Sequence, residues 1–389
     1  MLQAEVLHPS ALGDAELAAW RAWCAATPAF DSPLLGPEFA RLMEQVREDA
    51  RVAVFRRGGQ LAGFLAHHRR PDGFARPIGA TFSDYHALIA PPGAKLDIGE
   101  ALAAARISAF RYCAVIDPQG VFAASSQPAE PGWRIVVGPD AEAYRERIRA
   151  ANPKRYKNFR RLQSKLEREV GPIEVTPRDS DKAAFEQLLA WKREQYRATG
   201  LHDTLRTEWA QRLMRQAFAQ RTGELRGVMT TLRAGGRLVA GHFGITCRGV
   251  WHGWISAYDA EVCACGPGVV LMLQLPDIVR ALGVETYDMA PWHAHYKSPF
   301  ATGTVATGEG LVTASSTAGR AAALCEGAWE VAGAARRPIL SRLRRRLDHI
   351  AAVELSAAGR MLGVAEALAG YARRSSSRKE AGEDARQEA

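Results

Sequence analysis

The sequence predicts a mixed α/β chain made of two similar halves and a helical extension. Three observations predict it. The pattern strand, Gly-Gly turn, strand occurs twice, in VAVFRRGGQLAGFLAHH and in MTTLRAGGRLVAGHFGI. Amphipathic helical stretches alternate with short strand-like runs through most of the chain. At 389 residues there is room for two domains of ordinary size and a tail. The expected division is 1–139, 140–318, a basic helical tail over 319–372 and a disordered end over 373–389, which has no apolar content.

In the first half, DAELAAWRAWCAAT reads as a helix, and Asp31, Ser32 and Pro33 give the following loop its turn chemistry before a second helix. RVAVF and LAGFLAHH are strands of a hairpin joined by RRGGQ. FSDYHALIA reads as a further strand, LDIGEALAAARISAF as a helix, and RYCAVID and WRIVVG as strands. The polar, Pro-bearing SSQPAEPG marks the neighbourhood of a domain junction. From Asp140 a long helical pattern runs to Gly171, broken or kinked at Pro153.

The second half repeats this grammar. DKAAFEQLLAWKREQYRATG and TEWAQRLMRQAFAQRTG are helices, and three strands follow between Leu225 and Asp259. A glycine-bearing loop, AEVCACGPG, opens the helix VVLMLQLPDIVRALG, and VETYDMAP is a strand.

Composition sets limits. The apolar fraction of 47% is that of a soluble globular chain. No run of about 18 uncharged apolar residues is present, and the N-terminus lacks a signal-peptide pattern. The six cysteines are scattered, which fits a reduced, cytoplasmic protein. The net charge of +9 favours an anionic partner or reflects an Arg-rich proteome, so only clustered charge is informative.

Five stretches hold candidate chemistry. In CACGPGV, residues Cys265, Gly266, Pro267, Gly268 and Val269 lie where a glycine turn opens a helix. Exposed N–H groups there form an anion cradle, or simply a capped turn. In NPKRYKNFRRLQSKLERE, Lys154, Arg155 and five further basic residues recur at helical spacing. This is a face for phosphate or an acidic glycan, or a solvated helix; no nucleic-acid reading motif accompanies it. In WKREQYRATGLHD, Trp191, Lys192, Gln195 and Tyr196, followed by His202 and Asp203, read as a sugar- or amine-binding wall or as a core Trp with polar neighbours. Trp254 joins this substrate-facing set. In TFSDYHALI, Asp84 and Tyr85 sit inside an apolar run, where an acid is costly to bury unless paired. Finally, ETYDMAPWHAHYKSPFAT holds Asp288, His293, His295, Tyr296 and Lys297. Its H-x-H spacing lacks any supporting Cys or His pair, so no metal is expected. There is no G-x-S-x-G elbow, Walker lysine or G-x-G-x-x-G fingerprint in the first third.

Taken in order from about Ala29 to Val312, FDSPLLGPEFARLM, GGQLAGFL, FSDYHALIAPPG, NPKRYKNFRRLQSKLERE, WKREQYRATGLHD, GGRLVAGHFG, WHGWISAYDAEVCACGPG and YDMAPWHAHYKSPF through EGLV carry a family resemblance. The chain resembles the GNAT-like acyltransferases of the BioF2-like, CelD-type group of cellulose and exopolysaccharide operons. Within it, the holdfast polysaccharide N-acetyltransferases are most similar. The resemblance implies two tandem GNAT-like domains, an acetyl-CoA or other acyl-CoA donor bound by the second, and an amine acceptor such as an amino sugar or lipid-linked glycan. Cys263 stands where the family's phosphate loop has Gln or Arg, and Pro276 is expected to interrupt the following helix. Asp288, Tyr296 and Lys297 match the family's aspartate and Tyr-Lys pair. Candidate bases are Asp84, Asp203, His242 and Asp288; candidate acids are Tyr258 and Tyr296. Lys297 is the expected phosphate or carboxylate binder.

ARRPILSRLRRRLDHIAAVEL has six arginines between Arg336 and Arg346, with Ile339, Leu340, Leu343 and Leu347 at helical spacing. A basic amphipathic helix suits an anionic inner-membrane surface, or packs on its own domain. The rival functional readings are a FemAB-type aminoacyl-tRNA-dependent transferase and an inactive GNAT-fold binding or scaffold protein.

Overall fold

The computed structural model describes residues 1–366 apart from 139, 293 and 335. The end expected to be disordered, 373–389, lies outside the described residues, as does the close of the helical tail.

Both Gly-Gly segments form tight hairpins. Gly58 and Gly59 have φ of 61° and 80°, and Gly235 and Gly236 have 56° and 80°. Positive φ at both central positions is the geometry that matches the twist of two antiparallel strands, and glycine adopts it without steric cost. The first turn joins β2 (Ala50–Arg57) to β3 (Gln60–Arg69), and the second joins β9 (Arg226–Ala234) to β10 (Arg237–Cys247).

Around these hairpins stand two seven-stranded mixed sheets. The first adds β1 (Leu2–Leu7), β4 (Phe74–Pro77), β5 (Ala109–Val115), β6 (Ser126–Pro128) and β14 (Gly308–Thr313), in the order β1-β2-β3-β4-β5-β14-β6. The second adds β7 (Gly132–Val136), β8 (Ile173–Thr176), β11 (Val250–Tyr258), β12 (Thr286–Asp288) and β13 (Gly303–Val305), in the order β13-β7-β12-β11-β10-β9-β8.

The sheets do not follow the expected division at 139/140. Strand β7, from the first half of the chain, lies between β12 and β13 of the second sheet. Strand β14, from the second half, lies between β5 and β6 of the first. The halves thus exchange strands, and SSQPAEPG contributes β6 rather than a linker. FSDYHALIA is a second departure. It makes isolated bridges, His86 with Val115 and Phe64 with Ile89, within a loop that fastens the two halves.

Helices α1 (Asp14–Ala26), α2 (Pro37–Glu44), α6 (Lys182–Thr199) and α7 (Glu208–Ala219) share one apolar core between the halves. It joins Trp20, Phe39 and Phe64 to Phe185, Trp209 and Phe243. Helix α3 (Ile98–Ala104) packs in a separate cluster on the first sheet. The other face of the second sheet is covered by α4 (Ala141–Ala151), α5 (Pro153–Glu169) and α8 (Pro267–Leu282). Pro153 starts a new helix, where its missing N–H costs nothing. Pro276, expected to interrupt α8, lies buried inside a continuous helix; packing against the sheet holds the turn that lost its hydrogen bond. A short α9 (Ala294–Lys297) follows β12.

Helices α10 (Thr317–Val331) and α11 (Pro338–Val353) fold back on the body. Arg76 pairs with Asp348 at 3.2 Å, Arg47 Nη1 donates to Ala352 O at 3.3 Å, and Trp209 Nε1 donates to Val353 O at 2.9 Å. One face of the basic helix therefore packs on its own chain, while Arg336, Arg337, Arg342 and Arg345 remain exposed. No helix among the described residues is long and apolar enough to cross a membrane.

Candidate active site at the parting of two strands

Strand β11 has antiparallel β10 on one side and parallel β12 on the other. Its pairing with β12 covers Val250–Thr286, Trp251–Tyr287 and His252–Asp288, and then ends. β11 continues to Tyr258, so from Gly253 onward no strand among the described residues pairs with that edge. A bulge falls at the same place. Gly253 faces Gly244 and Ile255 faces Phe243, leaving Trp254 as the extra residue. The glycines are required by close approach: a Cβ on Gly244 would lie 1.9 Å from His252 O, and one on Gly253 2.5 Å from Tyr287 Oη. Unpaired backbone N–H groups on such an edge are fixed donors for a developing oxyanion.

Beyond β11, a 3-10 turn over Ala260–Cys265 ends at Gly266, whose φ is 61°. Pro267 then opens α8, leaving the N–H groups of Gly268 and Val269 among those without an intrahelical partner. Gly266 is constrained twice, since a Cβ there would also approach Leu162 Cδ1 to 2.9 Å. Lys165 of α5 donates to Ala264 O at 3.1 Å, so the basic helix borders this turn. Lys154 and Arg155 are exposed at its start. The Cys265 thiol is turned away, donating to Glu169 Oε2 at 3.4 Å. Tyr258 is 40% exposed and its ring edge reaches 3.5 Å from where a Gly268 Cβ would stand, so it overhangs the helix start.

Behind the parting lies a charged network drawn from both halves. Asp288 is fully buried. Its Oδ1 accepts from Tyr85 Oη at 2.9 Å and from Ala290 N–H at 2.8 Å, and its Oδ2 accepts from Arg134 Nε at 2.9 Å. Arg134, on the exchanged strand β7, also makes two bonds to Asp31, at 2.7 and 2.8 Å. His252 stands between two carboxylates. Its Nε2 is 2.9 Å from Asp84 Oδ2, and its Nδ1 is 3.6 Å from Asp288 Oδ1, an ion-pair rather than a hydrogen-bond distance. Burial alone would push the imidazole down; the two carboxylates outweigh it and raise the pKa to about 9. Burial opposes the Asp288 charge, yet His252 and Arg134 hold its pKa below the ordinary value.

The turn after β12 is strained, with φ of 64° at Ala290 and 67° at Trp292. Lys297 clamps it, donating to Ala290 O at 3.2 Å and Pro291 O at 2.7 Å. Burial lowers its pKa to about 8. Lys297, expected to bind phosphate, is therefore a buried fastener of this turn. Tyr296 beside it is 40% exposed and stays protonated, its phenol pushed up to about 12 by burial and then by Asp84.

On the α6 side, Lys192 Nζ lies 3.1 Å from Gln195 Oε1 and 3.5 Å from Ser256 O, on the free stretch of β11, and 5.1 Å from the Tyr196 ring centre. Burial lowers its pKa to about 8. Lys192, Gln195 and Tyr196 thus border the cleft as a group. Trp191 packs on the shared core, and Trp254 is a core ring whose Nε1 donates to Phe82 O at 2.9 Å. His242 is buried with both nitrogens engaged, Nε2 at 2.9 Å from Ser256 Oγ and Nδ1 at 3.0 Å from Tyr287 Oη. Burial and then Lys192 lower its pKa to about 4, so it is neutral near pH 7.

His202 and Asp203 serve the fold. His202 is buried 3.3 Å from Glu354, and Asp203 caps the turn at Leu205 and pairs with Arg193 at 2.8 Å. Tyr85 is an internal donor rather than a cleft wall. His293 lies outside the described residues, and so does the side chain of His295. Among the described residues no cluster of three or more His, Cys, Asp or Glu could hold a metal. Sequence reasoning missed His252, Arg134 and Asp31. No local pattern announces them, because their partners lie far along the chain.

No curated protein matches the sequence. Several solved structures are similar to the chain. FemX is 11% identical, with a TM-score of 0.50 over 79% of this chain and 96% of that one. A tandem GNAT protein from the clavulanic acid biosynthesis pathway is 14% identical, with a TM-score of 0.46 over 82% of this chain and 100% of that one. A conserved protein of unknown function from Bacteroides thetaiotaomicron is 12% identical, with a TM-score of 0.44 over 76% and 97%. Residues 153–298, from α5 through the parted strands to the Lys297 clamp, match the acetyltransferase (GNAT) domain family. The chain has a tandem GNAT-like fold, and its parted strands β11 and β12 lie within the stretch that is similar to the acetyltransferase (GNAT) domain family.

Proposed function

We propose that this chain is an acyl-CoA-dependent N-acyltransferase that acetylates the amine of an amino sugar during exopolysaccharide assembly. The observation that carries the reading is the parting of β11 from β12 beside the glycine turn into α8, inside the matched domain. A thioester donor suits this geometry. Its phosphates would lie at the N–H groups opening α8, and its acyl carbonyl at the free edge of β11. The positive charge absent at Cys263 is supplied nearby by α5, whose Lys165 touches the turn. On the acceptor side, the carboxylate of Asp84 suits an amine nitrogen, which can donate an N–H to it.

The basic face of α5 also fits the phosphates of a tRNA-borne donor, so the FemAB-type reading stays as the alternative. Thiol release separates them. With acetyl-CoA and a glucosamine-type amine, thiol is expected to appear in step with the N-acetyl product. Turnover with an aminoacyl-tRNA, and none with acetyl-CoA, would support the alternative instead.

A further inference from the structure

We propose that Asp84, which the first half inserts into the cleft of the second, accepts the proton of the acceptor amine, and that His252 is the positioning residue that aims it. This rests on the acyl-transfer reading above.

Elimination and geometry both point to Asp84. Asp288 is fully buried, with three hydrogen bonds and the His252 ion pair. Asp203 is bound to Arg193, and both nitrogens of His242 are engaged. Lys297 is turned onto two carbonyls. Asp84 differs. Its side chain is 24% exposed, Oδ2 is held by His252, and Oδ1 has no hydrogen-bond partner among the described residues. His252 is the last β11 residue paired with β12, so Asp84, held by it at 2.9 Å, stands where the two strands part.

The carboxylate is fixed although it sits on a loop. Phe82 O is bound by Trp254 Nε1 at 2.9 Å, and Ser83 Oγ donates to Tyr85 O at 2.7 Å. His86 N–H donates to Ala114 O at 3.3 Å, and Ile116 N–H to His86 O at 2.8 Å. His252 completes the arrangement from below. It is cationic at pH 7, fully buried, and itself oriented by Asp288. A carboxylate aimed by a buried imidazolium cannot swing away from the cleft without leaving that charge unpaired.

The step balances within the two substrates and one side chain. The neutral acceptor nitrogen forms a bond to the thioester carbonyl carbon, and its N–H proton passes to Asp84 as that nitrogen becomes acidic. The C–S bond breaks, and its electron pair leaves on the thiol sulfur. The proton then returns from Asp84 to solvent or to the thiolate, restoring the carboxylate.

The test compares wild type, Asp84→Asn, Asp84→Glu, His252→Gln and the double variant Asp84→Asn with His252→Gln, measuring acetyl-CoA-dependent thiol release and acetyl-CoA binding. Asp84→Asn is expected to lower kcat on the order of 10²–10⁴-fold with acetyl-CoA binding unchanged, and Asp84→Glu to recover part of the loss. His252→Gln is expected to lower kcat in the wild-type background and to add less than about twofold in the Asp84→Asn background, because it acts through Asp84. Asp84→Asn within about threefold of wild type overturns the proposal, and independent, multiplying losses overturn the role of His252. If His252→Gln does not fold, imidazole NMR of wild type and Asp84→Asn decides that role. The His252 titration must move to lower pH in the variant, and an unmoved titration contradicts the pairing. A wild type that neither binds nor turns over acetyl-CoA rejects the acyl-transfer reading and this inference with it.

Discussion

Replacing Asp288 with Ala is expected to destabilise the fold by about 3–5 kcal/mol, the usual result of removing one partner from a buried ion pair. Two cations lose their shared partner. Arg134 Nε and the His252 ring face an empty space of low polarity, and Tyr85 Oη loses its acceptor. Relaxation is restricted, because a Cβ on the neighbouring Gly132 would already lie only 1.8 Å from Tyr85 Oη. Chemical denaturation of wild type and variant at one pH measures the difference; a loss below about 1 kcal/mol would mean that water or another anion replaces the carboxylate.

The same network sets a pH dependence. The His252 pKa is raised in the folded protein, from an ordinary 6.5 to about 9. Its contribution is therefore fully present below about pH 6.5 and is lost as the pH rises through about 9. Asp288 is lowered, so its contribution is present above its ordinary value of 3.8 and is lost as the pH falls below it. Denaturation midpoints between pH 6 and pH 10 should fall for wild type and fall less for Asp288→Ala, where one of the two carboxylates that raise His252 is gone.

Dividing the chain at 139/140 should abolish cooperative folding of both pieces. Residues 1–139 would lack β14, leaving β6 without its partner and the β5 edge from Ala109 to Val115 uncovered. Residues 140–389 would lack β7, which pairs with both β12 and β13. β12 would then depend on three residue pairs with β11, and Asp288 would lose Arg134 and Tyr85 at once. The shared core of Trp20, Phe39 and Phe64 with Phe185, Trp209 and Phe243 would be cut open as well. Circular dichroism melts of each piece alone should show no cooperative transition, with one returning when the two are expressed together. A cooperative melt from either piece alone would show that strand exchange is a minor part of stability.

What the sequence showed and what it hid have physical causes. Gly58-Gly59 and Gly235-Gly236 announced their hairpins, because few residues other than glycine adopt positive φ at both turn positions. Gly266 and Pro267 announced the opening of α8 for the same local reason. Asp84 stood out as an acid in an apolar run. The strand exchange was hidden, because antiparallel pairing across well over a hundred residues leaves no local mark on β7 or β14. FSDYHALIA resembled a strand because it is apolar, but it makes only isolated bridges: Phe82 and Tyr85 reach the core shared by the halves, while Leu88 and Ala90 pack in the cluster of the first sheet. His252 was invisible for a related reason: its partners are 168 residues before it and 36 after it. Lys297 was visible but misread, since a lysine that binds phosphate and one that clamps two carbonyls look alike in sequence.

The account stands on the parted strands and the Gly266 turn taking an acyl-CoA. Calorimetric titration of acetyl-CoA into wild type and Gly266→Val tests this most directly. The variant forces a branched side chain into a left-handed backbone position and against Leu162. Saturable one-to-one binding by wild type, lost or severely weakened in a variant that still melts cooperatively, is the predicted result. No heat of binding at millimolar acetyl-CoA, or equal binding by the two proteins, would contradict it.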